Sequence, residues 1–193
     1  MFVLLPACDV VPHWRDPRFG WSLQRLTQHL QAASPSLALV GGSARTRNWL
    51  CQQTAERLGI RWVAAQAPEL SIGAAGNVAL DGRIYHRQQA ASHGRLKVPA
   101  DQPWIAAEAP PLPRHDDTAA CNDFRVPRLL VRLQETSPGK RWPAPHQMWP
   151  TGGGWPEYRL EISDPQWAVS ELVSAFDSLQ CSIQPVTPDG NWY

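Results

Sequence analysis

Two short apolar runs, separated by a glycine pair and one helical pattern, limit the fold more than any other part of this sequence. The first run, Leu37–Val40, is followed at once by Gly41, and Ser43 is a residue type that caps helix N-termini. The helical pattern ends before Gly59, a residue type common just after helices, and the second run is Ile60–Ala64. Strand, turn, helix and strand in this order are a common way of building a nucleotide pocket.

The residues before this unit predict one more strand and one more helix. The apolar run Phe2–Leu5 is interpreted as a buried strand, and Trp21–Ala33 has the apolar spacing of an amphipathic helix. Three strands joined by two helices predict an α/β fold, with a mostly parallel sheet and flanking helices.

Proline and tryptophan distinguish the second half of the chain. The sequence has 193 residues, of which 19 are proline and 10 are tryptophan. The prolines break the second half into loops, predicted at residues 86–120 and 137–156, and the indoles either fill gaps between them or form contact surfaces. The other predicted elements are the strands Arg128–Gln134 and Tyr158–Ile162, the helix Asp164–Leu179 and a closing strand, Cys181–Val186.

A change in composition near residue 85 divides the chain into two segments. Residues 1–85 are predicted to form an α/β nucleotide-binding-like unit, and residues 86–193 combine Pro/Trp-rich loops with a small strand–helix–strand unit. One continuous domain is also compatible with this length. Just before the boundary, the small residues Ser71–Gly76 begin a helix or Asp81–Gly82 turns a hairpin, and the sequence does not decide between the two.

Charge and cysteine content limit the partners and the location. Lys and Arg total 18 against 17 Asp and Glu, so the net charge of +1 gives no reason to expect a nucleic-acid partner. No apolar run approaches the roughly 20 residues that a membrane span needs, so no membrane partner is predicted. The cysteines are scattered without a CxxC pair, which indicates reduced thiols and a cytoplasmic location. They are Cys8, Cys51, Cys121 and Cys181.

The Gly41-Gly42-Ser43 turn is the main candidate for chemistry. Backbone N–H groups at a helix N-terminus favour anions, so a phosphate or a ribose edge fits there. The turn matches neither GxGxxG nor GxxxxGK[ST]. A purely structural strand-to-helix turn that needs glycine is the alternative.

The chain from Gly41 to Ala79 resembles the adenosine-binding segment near the C-terminus of FGGY carbohydrate kinases. That family has a Gly-Gly-small-Ala turn, a helix ending in Leu-Gly, and an acidic residue shortly before a Gly-Ala-Ala helix. The upstream stretch Leu4–Gly20 is similar to the substrate-side loop of the family, so the resemblance covers about the first 80 residues. The matching positions of the adenosine segment are Gly41, Gly42, Ala44, Trp49, Ala55, Leu58, Gly59, Glu69, Gly73, Ala74 and Ala75.

The resemblance implies an adenine nucleotide, ATP or ADP, as the ligand. A complete kinase of this family also has an N-terminal domain with its own phosphate loop and a catalytic Asp, and this sequence has no counterpart of either. The chain is therefore expected to be a non-catalytic or degenerate binding protein, with neither catalytic residues nor a metal assigned. The predicted nucleotide-binding residues are Gly41, Gly42, Ser43, Ala44, Arg45, Glu69, Gly73 and Ala74.

An adaptor or subunit of a larger assembly is the alternative function. The Trp/Pro-rich second half then supplies contacts to a protein partner, and the glycine turn is structural. The predicted partner-binding residues are Trp142, Trp149 and Trp155.

A polar cluster at residues 114–123 is the remaining candidate. His115, Asp116 and Asp117 lie close to Cys121, and such groups can ligate a metal or serve a hydrolase or transferase. Their spacing matches no zinc motif, and neighbouring loop residues rarely all point inward. A solvated polar loop is the favoured interpretation.

Overall fold

A computed structural model describes residues 4–17, 20–65, 101–110, 112, 125–135 and 154–180. Four helices and five strands lie in these ranges. In chain order they are α1 (Leu4–Val10), α2 (Leu23–Gln31), β1 (Ser36–Val40), α3 (Ala44–Leu58), β2 (Arg61–Val63), β3 (Trp104–Ala106), β4 (Leu129–Gln134), β5 (Glu157–Glu161) and α4 (Pro165–Gln180).

The strands form one parallel sheet in the order β2-β3-β1-β4-β5. β1 is central, with Ala38 opposite Ala106 of β3 on one side and Leu130 of β4 on the other. From β1 the chain first builds β2 and β3 on one side and then β4 and β5 on the other. The predicted α/β class with a mostly parallel sheet is confirmed.

Both faces of the sheet are covered, as a parallel sheet requires. Alternate residues of β1 separate the two faces: Leu37 and Leu39 pack in one apolar cluster with α3 and α4, whereas Ala38 packs in a second cluster with Trp104 of β3. Trp155 contacts this second cluster and also the cluster built on α2. Helices therefore lie on both sides of the sheet, and β1 is buried between them.

A buried guanidinium attaches α2 to the amino ends of the strands. The side chain of Arg128, which precedes β4, is fully buried and donates through Nη1 to the backbone oxygen of His29 at 2.8 Å and through Nη2 to that of Val126 at 3.0 Å. Its backbone N–H donates to both oxygens of Ser36, the first residue of β1. His29 Nε2 donates in return to the Arg128 carbonyl at 3.1 Å, because a carbonyl can only accept.

The two long helices begin and end where the sequence predicts. The Ser43 hydroxyl accepts a hydrogen bond from the Thr46 N–H at 3.0 Å, and Gly59 ends α3 in the left-handed conformation with φ of 65°. In α4 an Asp164 carboxylate oxygen accepts from the N–H groups of Gln166 and Trp167. These caps satisfy backbone donors that a helix N-terminus leaves without a partner.

The predicted strand at Phe2–Leu5 is wrong for its described residues. Leu4 and Leu5 begin α1, a helix of seven residues with no buried side chain. Pro6 lies in the first turn of this helix, where its missing N–H is not needed. An apolar run of this length does not by itself distinguish a strand from a helix.

The predicted loop at residues 86–120 contains a strand at Trp104–Ala106, so this part of the prediction is wrong. β3 lies between β1 and β2, and all three of its residues are buried. Three residues next to Pro103 are too few to show a period in the sequence. Their burial on both faces of the sheet comes from partners distant in the chain.

Several predictions lie outside the described residues. They are the small-residue segment Ser71–Gly76, the Asp81–Gly82 turn, the closing strand Cys181–Val186 and the boundary between residues 85 and 86. Strands from both predicted segments share the one sheet.

The left-handed cap at Gly59 gives a test of the local fold. A Cβ added there would meet no atom within 4 Å, so Gly59→Ala changes backbone strain alone. We expect this substitution to lower the free energy of unfolding by about 1–2 kcal/mol, measured by urea denaturation. Gly59→Asn should cost less, because Asn tolerates this conformation.

Gly154→Ala is the matched control, since Gly154 also has open space around its Cβ position but no positive φ. It should change the unfolding free energy by less than about 0.5 kcal/mol. Equal effects of alanine at the two positions would contradict the assignment of strain to Gly59.

Candidate functional site

The glycine turn lies at the carboxyl end of β1, in the middle of the sheet. Gly41 and Gly42 have φ values of 75° and 60°, a conformation that side chains other than glycine rarely adopt. A Cβ on Gly41 would also lie 3.1 Å from the backbone oxygen of Leu133 in β4. Both glycines are exposed. The turn thus combines a tight inner side with an open outer side.

Arg47, in the first turns of α3, holds the inner side of the glycine turn. Its Nη1 donates to the carbonyl oxygens of Gly41 and Gly42, each at 2.9 Å. Its Nε donates to the carbonyl oxygen of Ala107, the residue after β3, at 2.6 Å. One side chain therefore joins the carboxyl ends of two neighbouring strands.

The direction of these carbonyl groups fixes the direction of the adjacent N–H groups. In a trans peptide the C=O of one residue and the N–H of the next point in opposite directions. Because the carbonyls of Gly41 and Gly42 face Arg47, the N–H groups of Gly42 and Ser43 face away from it. Helical geometry directs the N–H groups of Ala44 and Arg45 off the N-terminus of α3.

We call the N–H groups of residues 42–45 the turn nest. Within the described part of the chain none of these four N–H groups has an acceptor, whereas the N–H of Thr46 donates to the Ser43 hydroxyl. Successive outward N–H groups at a helix N-terminus form an anion-binding concavity. The nest can therefore bind a phosphate or carboxylate group.

Asn48 attaches a third strand to the same helix. Its side-chain oxygen accepts from the N–H of Ala65, two residues after β2, at 2.8 Å. With the bonds of Arg47, the first two turns of α3 contact the carboxyl ends of β1, β2 and β3. This arrangement fixes the helix N-terminus against the edge of the sheet.

Besides Arg47, two arginines lie near the turn, and one of them is neutralised by an ion pair. Arg45 is exposed beside the nest, and the N-terminus of α3 adds the positive end of the helix dipole. Arg132 of β4 lies on the other side, with its Cγ 3.9 Å from the Cβ position of Gly41. It donates to both carboxylate oxygens of Glu157, at 2.7 and 2.9 Å, and this hydrogen bonding raises the pKa of the Arg132 guanidinium.

The predicted nucleotide residues fall into two groups. Gly41, Gly42, Ser43, Ala44 and Arg45 are contiguous in the turn and the first turn of α3. Glu69, Gly73 and Ala74 lie outside the described residues.

Arg47 and Asn48 were not predicted as site residues. The sequence shows Arg47 only as a second basic residue beside Arg45. Its acceptor at Ala107 is 60 positions away in the chain, so no local pattern reveals the contact.

Trp155 is partly buried and packs against two apolar clusters. Its ring makes edge-to-face contacts with Trp21 and His29, at centroid distances of 5.1 and 5.3 Å. Trp142, Trp149 and the polar cluster at residues 114–123 lie outside the described residues. Within the described ranges, no group of three or more His, Cys, Asp or Glu side chains is placed to hold a metal ion.

Comparison of the chain with protein-family models, with curated proteins and with solved structures gave no match. The likeness to the FGGY kinases therefore stays a prediction from the sequence. In the described part of the chain, no helix combines the length and the apolar content that crossing a membrane requires.

Cys51, one helical turn after Arg47, gives a pH-dependent test. The thiol is fully buried, and burial raises its pKa, with a smaller opposing effect of the Arg47 charge. The unfolded thiol ionises near pH 8.5, whereas the native thiol stays protonated. The stabilising contribution is complete below that pH and is lost as the pH rises.

We expect unfolding free energies measured by urea denaturation to fall by up to about 2 kcal/mol between pH 8.5 and 10 because of this one group. Cys51→Ala should remove that part of the pH dependence, whatever it does to stability at pH 7. The native Cys51 thiol should also react slowly with thiol reagents, in contrast to the partly exposed Cys8. An unchanged slope in the variant would contradict this account.

Proposed function

We propose that this chain is a non-catalytic or degenerate adenine-nucleotide-binding protein that holds the phosphate groups of ATP or ADP at the turn nest. The observation that carries the proposal is the set of outward N–H groups at residues 42–45, on the open side of a turn whose carbonyls are all directed inward. Such groups stabilise negative charge without a side chain.

The position of the turn nest, outside the carboxyl end of β1, supports a ligand the size of a nucleotide. In open α/β sheets, ligands bind outside the carboxyl ends of the strands, where the winding reverses. β1 is the strand at which the winding reverses here, because β3 and β4 flank it on opposite sides. A phosphate at the nest would lie at that point.

The adenosine half of the proposal comes from the sequence. In the FGGY-like segment, Glu69, Gly73 and Ala74 match the positions that follow the phosphate-side turn, and they would supply contacts to the nucleoside. The proposal covers binding alone, because phosphoryl transfer depends on neutralising the γ-phosphate charge, and the FGGY-like segment supplies only nucleotide-side contacts.

Titration with nucleotides tests the proposal. Trp49 is partly exposed on α3, in the second turn after the nest, so its fluorescence should report binding. We expect saturable binding of ATP and ADP below millimolar concentration, weaker binding of adenosine, and no release of ADP from bound ATP. Calorimetry measures the affinities, and Trp49→Phe shows whether the optical signal comes from this residue.

Variants of the turn locate the binding site. Gly42→Ala forces a side chain onto a left-handed residue, with its Cβ 3.4 Å from a Leu133 side-chain carbon, and should weaken ATP binding at least about tenfold. Gly154→Ala should leave binding unchanged. A complete lack of response to millimolar ATP, ADP and AMP would overturn the proposal.

An adaptor role is the second candidate function. The supporting observation is that, among the residues that the structure describes, four tryptophans expose a third or more of their surface, and exposed tryptophan is enriched where proteins bind each other. They are Trp14 at 52%, Trp49 at 36%, Trp62 at 36% and Trp167 at 47%. These positions differ from the predicted partner-binding residues, of which Trp155 is partly buried against other rings.

For an adaptor, substitution of an exposed tryptophan should abolish partner capture without unfolding the protein. Trp167→Ala should lose a partner that co-purifies with the native chain, and Ser174→Ala, an exposed position on the same helix, should retain it. Mass measurement by light scattering identifies the complex. A chain that stays monomeric and captures nothing would contradict this role.

A further inference from the structure

We propose that Arg47 is the positioning residue of the turn nest, acting on the bound anion only through the backbone of Gly41 and Gly42. The inference rests on the proposed function for its ligand, but the effect of Arg47 on the turn is measurable without one. In this proposal, a cation beside an anion-binding site orients the backbone and does not pair with the anion directly.

The Arg47 guanidinium donates to backbone carbonyl oxygens. Nη1 donates to two carbonyls and Nε to a third, all within 3 Å. Among the described residues, no carboxylate pairs with this guanidinium. The side chain is therefore held by neutral backbone oxygens, and the geometry of the guanidinium fork determines which groups it joins.

The orientation of two peptide planes, Gly41–Gly42 and Gly42–Ser43, depends on the contact with Arg47. Gly41 and Gly42 both have positive φ values. As glycines they have no Cβ that would limit their backbone conformation. Glycine gains the most freedom when local constraints are lost. The carbonyl bonds to Nη1 supply the constraint, so that the N–H groups of Gly42 and Ser43 stay on the outer side.

The constraint extends to the edge of the sheet. The N–H of Ala107 donates to the oxygen of Val63 in β2 at 2.9 Å, and the oxygen of Ala107 accepts from Arg47 Nε. A continuous set of hydrogen bonds thus runs from β2 through the end of β3 and Arg47 to the glycine turn. The orientation of the nest is tied to three strands.

Arg45 is the matched control for charge. It lies two residues from Arg47, at the same helix N-terminus, but is exposed and makes no hydrogen bond to the turn within the described residues. A contribution through charge alone is screened by salt, since the Debye length falls from about 10 Å at 0.1 M to 3 Å at 1 M. A contribution through backbone orientation is not screened.

Three variants separate the two effects: Arg47→Met removes charge and hydrogen bonds, Arg47→Lys keeps the charge, and Arg45→Met removes a charge only. One lysine ammonium cannot span the carbonyls of Gly41 and Gly42, after β1, and of Ala107, after β3, as the guanidinium does. We expect Arg47→Met and Arg47→Lys to weaken ATP binding at least about tenfold at low and at high salt. Arg45→Met should weaken it about two- to threefold at low salt and not at high salt.

Backbone ¹⁵N relaxation of the ligand-free protein gives the second readout. Order parameters of the Gly42 and Ser43 N–H groups, which share peptide planes with the two carbonyls that Arg47 binds, should fall from about 0.85 in the native chain to below about 0.6 in both Arg47 variants. They should stay at the native value in Arg45→Met. If Arg47→Met does not fold, Arg47→Lys decides the question with both readouts.

The outcomes are distinct. Native order in Arg47→Lys, together with native affinity, would overturn the positioning role. So would equal, salt-sensitive losses in the Arg45 and Arg47 variants. If the native chain binds no nucleotide, the proposed function fails, and the order parameters alone still decide whether Arg47 positions the turn.

Discussion

The buried guanidinium of Arg128 is the interaction on which the layering of this protein depends. Burying a charged group lowers the folding stability by roughly several kcal/mol unless hydrogen bonds satisfy the group. Two guanidinium nitrogens of Arg128, Nη1 and Nη2, donate to backbone oxygens of His29 and Val126, and its own backbone N–H bonds to Ser36. Helix α2, the start of β1 and the start of β4 are therefore held by one residue. The ring contacts of Trp21 and Trp155 with His29 follow from that attachment.

Two arginines thus hold opposite ends of the sheet, and they differ in burial. Arg128 is fully buried at the amino ends of the strands, where its hydrogen bonds join layers of the fold. Arg47 is only partly buried at the carboxyl ends, where it bonds to carbonyls of an exposed turn. Because charges near solvent are cheaper to change than buried ones, the carboxyl edge tolerates a binding site and the amino edge serves stability.

The sequence predicts the elements whose signals are local. Ser43, Gly59 and Asp164 define helix ends through their own side chain or backbone freedom, and each is where the pattern places it. The strand at Trp104–Ala106 and the bond from Arg47 to Ala107 depend instead on residues more than about 40 positions apart, which no short window along the chain contains. The turn of the candidate site was therefore predictable, but the side chain that orients it was not.

The two glycines of the turn are required for different physical reasons. Gly41 is required by the approach of Leu133, because a Cβ would lie 3.1 Å from its oxygen. Gly42 meets only side-chain carbons, at 3.4 Å or more, so packing alone does not demand glycine there. Its positive φ does demand it, and in this conformation the Gly42 carbonyl accepts from Arg47, so the next N–H points outward. Under the proposed function, that second outward N–H adds one more donor to the turn nest.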